Sequence, residues 1–108
     1  MYIAKAFARP GELDRAVREA TQALGPEVVR LRYSLERDWS GDEAIIFRVV
    51  LSDEASRREN LLPATTRIEW AILDRLQPLE EWGVLPYFRY RSQTEQTEQA
   101  DLQEPAWA

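Results

Sequence analysis

The stretch that decides the fold is Glu27-Val28-Val29-Arg30-Leu31-Arg32-Tyr33-Ser34-Leu35-Glu36-Arg37, followed after a polar run by Ala44-Ile45-Ile46-Phe47-Arg48-Val49-Val50-Leu51-Ser52. In the first segment Val29, Leu31, Tyr33 and Leu35 alternate with Val28, Arg30, Arg32, Ser34 and Glu36. A period of two sends successive side chains to opposite faces, so this reads as a half-buried strand. The second segment places Ile45, Phe47, Val49 and Leu51 on one face and Ile46, Arg48 and Val50 on the other. Between them lies Asp38-Trp39-Ser40-Gly41-Asp42-Glu43, whose turn-forming residues and single glycine predict a hairpin loop between antiparallel neighbours.

Toward the N-terminus the period lengthens to that of a helix. Leu13, Ala16, Val17, Ala20 and Leu24 form one apolar stripe over Glu12–Leu24. Glu12 and Asp14 suit its positive end, and Gly25-Pro26 stops it. Toward the C-terminus, Asp53–Asn60 reads as a loop or short helix. A second helix is predicted over Ala64–Gln77, with Pro63 near its start, Thr66 and Glu69 as a capping box, and Ile68, Ile72 and Leu76 as its stripe. Pro78 ends it, and Leu79–Trp82 adds a turn before Gly83. A last strand, Val84–Arg91, carries Phe88 and Tyr90 inward and Arg89 and Arg91 outward.

The order helix–strand–strand–helix–strand predicts an α+β two-layer sandwich, an antiparallel sheet of three strands with two helices on one face. If Tyr2–Ala8 is also a strand, the arrangement becomes the ferredoxin-like β-α-β-β-α-β. Alanines are poor strand formers, so a helical extension of the first helix is the rival reading, although Pro10-Gly11 argues for a break there. Residues 1–91 are read as a single domain. Residues 92–108 are read as an acidic, Gln/Thr/Glu-rich tail, a weak helix or a disordered segment in which Ser92 and Glu95 can cap a helix.

Composition removes most catalytic chemistry. The chain of 108 residues has neither cysteine nor histidine, so disulfides, thiolates, imidazole bases and the commonest transition-metal ligands are absent. No phosphate-cradling glycine loop or nucleophile motif is present, and no cofactor is expected. The carboxylates of the hairpin loop match no calcium-loop spacing, and no metal site is expected. The longest apolar run falls far short of the ~20 residues that span a bilayer, and no signal peptide is read, so a cytoplasmic protein is expected. Of the 14 basic and 19 acidic side chains, residues 1–91 hold all of the basic ones, and the tail holds only acids. The net charge of −5 disfavours nucleic-acid binding driven by bulk charge, although a local basic patch remains open to it.

Such a patch is predicted. Arg30, Arg32, Arg48, Arg89 and Arg91 fall on the outer face of the sheet, with Tyr87 and Ser34 among them. Guanidinium rows hold carboxylates or phosphates in bidentate fashion. Stacking of RNA bases on an open sheet needs interleaved aromatics, and Tyr87 alone qualifies. Trp39 at the hairpin tip either folds onto the sheet end or anchors a partner. These seven residues are the candidate binding set.

Arg32-Tyr33-Ser34, Asp38-Trp39-Ser40-Gly41-Asp42, Phe47-Arg48-Val49-Val50-Leu51 and Tyr87-Phe88-Arg89-Tyr90-Arg91-Ser92 together resemble a group of small uncharacterised bacterial proteins with this hairpin loop. The resemblance implies no residue roles. It implies a small accessory protein that binds a protein partner, in the manner of an antitoxin. The expected function is therefore a non-catalytic protein-binding module, with nucleic-acid binding through the arginine face as the alternative and a carboxylate-based enzyme behind both. An edge strand, Glu27–Arg37 or Val84–Arg91, offers a route to a homodimer.

Overall fold

The computed structural model describes residues 2–100, and the side chains of residues 2–98. The elements in chain order are α1 (Lys5–Ala8), α2 (Pro10–Gln22), β1 (Val28–Arg37), β2 (Glu43–Leu51), α3 (Arg58–Leu76), α4 (Pro78–Trp82), β3 (Leu85–Ser92) and α5 (Gln93–Ala100). They build a small α+β fold on one three-stranded sheet of order β1-β2-β3.

The hairpin forms as its pattern requires. Leu31 pairs with Val49, Tyr33 with Phe47 and Leu35 with Ile45, so the apolar sets of both strands share a face. One irregularity departs from strict alternation. The register shifts between Val28 and Arg30, Val28 pairing with Leu51. Val29 is displaced by this bulge and left 47% exposed rather than packed inward.

The sheet is mixed, which corrects the expectation of antiparallel pairing throughout. β3 runs parallel to β2, with Phe47 beside Phe88 and Val49 beside Tyr90. The cause is the connection. The helices α3 and α4 carry the chain back along the sheet before β3 begins, and such a crossover returns a strand parallel to the one it left.

The N-terminal segment does not join the sheet, so the four-stranded ferredoxin-like version is also corrected. Lys5–Ala8 is a single helical turn, and Ala4 and Ala6 are fully buried. Small side chains suit that place: a Cβ built on Gly83 would lie 3.2 Å from the Cβ of Ala4. Lys5 Nζ stands 4.7 Å from the ring centroid of Trp82, a cation–π contact that ties α1 to α4.

The helix α3 starts at Arg58, six residues before the sequence expectation, with Pro63 inside it. Proline removes one helical donor without ending the helix, because the turn before it is held independently. Leu61 N–H donates to the Arg57 carbonyl, and Asn60 Nδ2 donates to the Glu54 carbonyl at 3.0 Å. Thr66 and Glu69 therefore lie mid-helix and form no capping box. Glu69 instead accepts the Tyr90 hydroxyl at 2.7 Å. At the other end Gln77 adopts φ 49° and closes α3, and Gly83 at φ 71° closes α4.

The core lies between the helices and one face of the sheet. Leu13 and Val17 of α2 and Ala64, Ile68, Ile72 and Leu76 of α3 pack with Ile45, Phe47, Val49 and Leu51 of β2. The Phe47 and Phe88 rings stack with centroids 5.0 Å apart. The helices α2 and α3 thus cover one face of the sheet, and the arginines lie on the other.

The helix reading of the tail holds for α5. Ser92 and Glu95 form a reciprocal capping box, with Glu95 N–H donating to Ser92 Oγ at 3.0 Å and Ser92 N–H donating to Glu95 Oε1 at 3.2 Å. Thr94 ties the helix start to the end of β2 by donating its N–H and hydroxyl to the Asp53 carboxylate. The remainder of the tail, 101–108, lies outside the described residues. Among the described residues no helix is long and apolar enough to cross a membrane.

Candidate binding face of the sheet

Register places the five arginines. Arg48 pairs with Arg32 on β1 and with Arg89 on β3, so three guanidinium stems stand in one row across the sheet. The next row is Arg30, Val50 and Arg91; on the other side come Ser34, Ile46 and Tyr87, then Glu36, Ala44 and Leu85. All five arginines therefore share the face opposite the core built by α2 and α3. Against them the same rows hold one carboxylate, Glu36.

Strands sit about 4.8 Å apart, and like charges directly opposite one another destabilise a sheet. The row is held by neutralising its middle member. Arg48 is 8% exposed, and its Nη1 donates to Ser34 Oγ at 2.6 Å and its Nη2 to Glu36 Oε2 at 3.0 Å. Ser34 Oγ also lies 2.6 Å from Glu36 Oε2. The hydrogen bond from Ser34, that from Arg48, and the charges of Arg48 and Arg89 hold the Glu36 carboxyl below its usual range. The Arg48 Nε is buried with no acceptor. Arg32 and Arg89, flanking it, are exposed. Arg30 and Arg91 are half-buried and already engaged within the protein. The arrangement presents two solvated guanidinium groups about two strand spacings apart, on either side of a fixed, buried cation.

The hairpin tip is tied to this face. Asp38 Oδ1 accepts from the Ser40 N–H, the Ser40 hydroxyl and the Asp42 N–H at 2.9, 2.7 and 2.9 Å. Its Oδ2 accepts the Tyr87 hydroxyl at 2.8 Å. These bonds, that from the Ser40 hydroxyl foremost, lower the Asp38 carboxyl to about 2, and the same contact raises the Tyr87 phenol. Gly41, at φ 89°, allows the turn to close so that Asp38 meets the Asp42 carbonyl. The loop acids serve this turn, and among the described residues no group of three or more acidic side chains is placed to hold a metal ion.

Trp39 follows Asp38 at the tip and is 94% exposed. It does not fold onto the sheet end. Trp82 is buried against the core, whereas Trp70 on α3 stands in solvent. All seven candidate residues are thus on one face or at its edge. What sequence reasoning missed is the Tyr87–Asp38 bond, which joins residues 49 positions apart and has no local signal.

Comparisons with protein-family models, with curated proteins and with solved structures returned no match. The functional reading therefore rests on the geometry of this chain.

Proposed function

We propose that this chain is a non-catalytic binding module that docks an acidic segment of a partner protein on its arginine face, in the manner of an accessory or antitoxin-like subunit. The observation that carries the proposal is the row Arg32–Arg48–Arg89, in which a sheet concentrates like charge and leaves its two outer members in water. A sheet whose outer face served only solubility gains nothing from aligning three cations in register. Carboxylates spaced along an extended segment match guanidinium groups so spaced, each accepting two parallel N–H bonds. Trp39 sits at the rim, carried by the turn that Tyr87 fastens to the face, and suits an aromatic anchor for the same partner.

Nucleic acid is the second reading, and the same arginines would serve it. Two features favour protein. Tyr87 is the one aromatic on the face, and its hydroxyl is committed to Asp38, whereas base-stacking sheets present two or three free rings. Glu36 lies within the face and would oppose a phosphate backbone.

The test uses two defined probes, a Glu/Asp-rich peptide and a single-stranded RNA of equal charge, titrated against the full chain and its Arg32→Ser/Arg89→Ser variant. The expected result is salt-sensitive binding of the peptide that the double substitution weakens by roughly tenfold or more, since charge-assisted pairs contribute most where they are bidentate. Preferential binding of the RNA would move the assignment to nucleic acid, and peptide binding indifferent to the double substitution would end it.

A further inference from the structure

The helix α3 is apolar on two faces. Its inner face, Ala64, Ile68, Ile72 and Leu76, is buried in the core. On its outer side Leu62 and Trp70 are 74% and 71% exposed, with Thr66 midway between them, also exposed. Residues four apart are neighbours on a helix surface, so the three form one stripe. A single exposed leucine needs no explanation, but a leucine and a tryptophan aligned on the back of a core helix form a patch that calls for a cover.

We propose that this stripe is a two-fold interface between two copies of the chain, α3 lying antiparallel on the partner's α3 with the two Thr66 residues at the axis. The sequence of the helix is self-complementary about that point. Leu62 and Trp70 lie four positions to either side of Thr66, and Arg58 and Asp74 lie eight positions to either side. An antiparallel pair centred there sets each Leu62 against the partner's Trp70 and each Arg58 opposite the partner's Asp74. That is what an isologous interface requires: one patch that complements itself.

At 1.5 Å of rise per residue, Arg58 and Asp74 stand about 24 Å apart along the axis, so both ion pairs close together only when the helices run in opposite directions. A parallel pair would place arginine against arginine and aspartate against aspartate. Arg58 and Asp74 are both exposed, and neither forms an ion pair among the described residues, whereas Asp14 is paired with Arg18 and Glu27 with Arg67. The small Thr66 at the centre permits close approach of the two backbones. Because α3 lies on the helical side of the sheet, the dimer would carry its two arginine faces outward and free. The interface is thus independent of the edge strands and of the binding role proposed above. One pair of helices buries less than the ~1,600 Å² of a standard interface, so dissociation is expected in the micromolar range.

The experiment is sedimentation equilibrium of the full chain from the low micromolar to the near-millimolar range, at low salt. The expected result is a monomer–dimer equilibrium that Trp70→Ser abolishes. Arg58→Asp alone should weaken it by roughly tenfold, because two like-charge contacts replace two ion pairs, and Arg58→Asp combined with Asp74→Arg should restore it. The reversed pair puts an acid at the start of the helix and a base near its end, which suits the helix dipole, so the fold tolerates it. A chain that stays monomeric throughout overturns the proposal and leaves the stripe to a different protein. Self-association unmoved by Trp70→Ser, or not rescued by the charge reversal, overturns it equally.

Discussion

Arg48 reaches past its cross-strand neighbour Arg32 to Glu36, Nη2 lying 3.0 Å from Oε2, and so the cation at the centre of the sheet is compensated from four residues further along β1. The pairing is asymmetric. Arg48 is nearly enclosed, whereas the Glu36 side chain is 43% exposed. Burying a cation costs more than a partly solvated partner returns, and Arg48 also carries an Nε with no acceptor. On stability alone, an apolar residue would serve this position at least as well.

That asymmetry separates stability from binding. Arg48→Met should leave the midpoint of urea denaturation unchanged or raise it, by up to about 1 kcal/mol, since the freed Glu36 returns to water. Glu36→Gln should lower it by about 1 kcal/mol, because the buried guanidinium then keeps only neutral acceptors. Binding of the acidic peptide should fall in Arg48→Met despite its stability. Equal losses of stability in both variants would show that the pair is a structural device.

The hairpin turn should report acid directly. Asp38 is depressed to about 2 from an ordinary 3.8, so the unfolded or opened loop binds its proton more tightly than the closed one does. The stabilisation is therefore fully present above about pH 4 and disappears as the pH falls through the folded value. Amide resonances of Ser40 and Asp42, followed by NMR through this range, should titrate with a midpoint near 2, and the Tyr87 ring signals should move with them. A midpoint near the ordinary aspartate value would show that the turn is open in solution.

At the alkaline end the relevant group is Tyr90. Burial, then the hydrogen bond to Glu69 and its charge, raises its phenol well above the ordinary 10.0. A raised pKa means that the neutral form contributes stability below about pH 10 and that this is lost as the pH climbs beyond it. Tyr90→Phe keeps the ring and removes the titration. The variant should lose about 1 kcal/mol at neutral pH, with the Glu69 acceptor left to water, and should be less sensitive than the parent between pH 10 and 12. Denaturation midpoints measured at pH 7 and pH 11 test the difference of slopes.

How much of this was legible in the sequence follows from the range over which each signal acts. The β1–β2 hairpin and its arginine face come from a period-two alternation contained within 26 residues, from Glu27 to Ser52, and that pattern survives folding except at the Val29 bulge. The direction of β3 was not legible, because Val84–Arg91 carries the same alternation whichever way it runs; the path of α3 and α4 decides it. Pro63 misled because proline usually marks a helix start, whereas here Arg57 and Asn60 hold the turn before it. The link between Asp38 and Tyr87 has no pattern at all, being made by tertiary structure alone.

Ser92 ends β3 and caps α5, so one side chain marks both boundaries. Ser92→Ala removes the acceptor for the Glu95 N–H and half of the reciprocal box, a loss worth about 1 kcal/mol to the helix. The helix is tied to the body through Thr94 and Asp53, at the edge of the domain, so the cost should stay local. Hydrogen exchange of the amides of residues 94–98 should accelerate by roughly fivefold, the factor that corresponds to such a free energy, while the protection of Phe47 and Ile68 is unchanged. Accelerated exchange across the core as well would mean that α5 is an integral part of the domain rather than an appended helix.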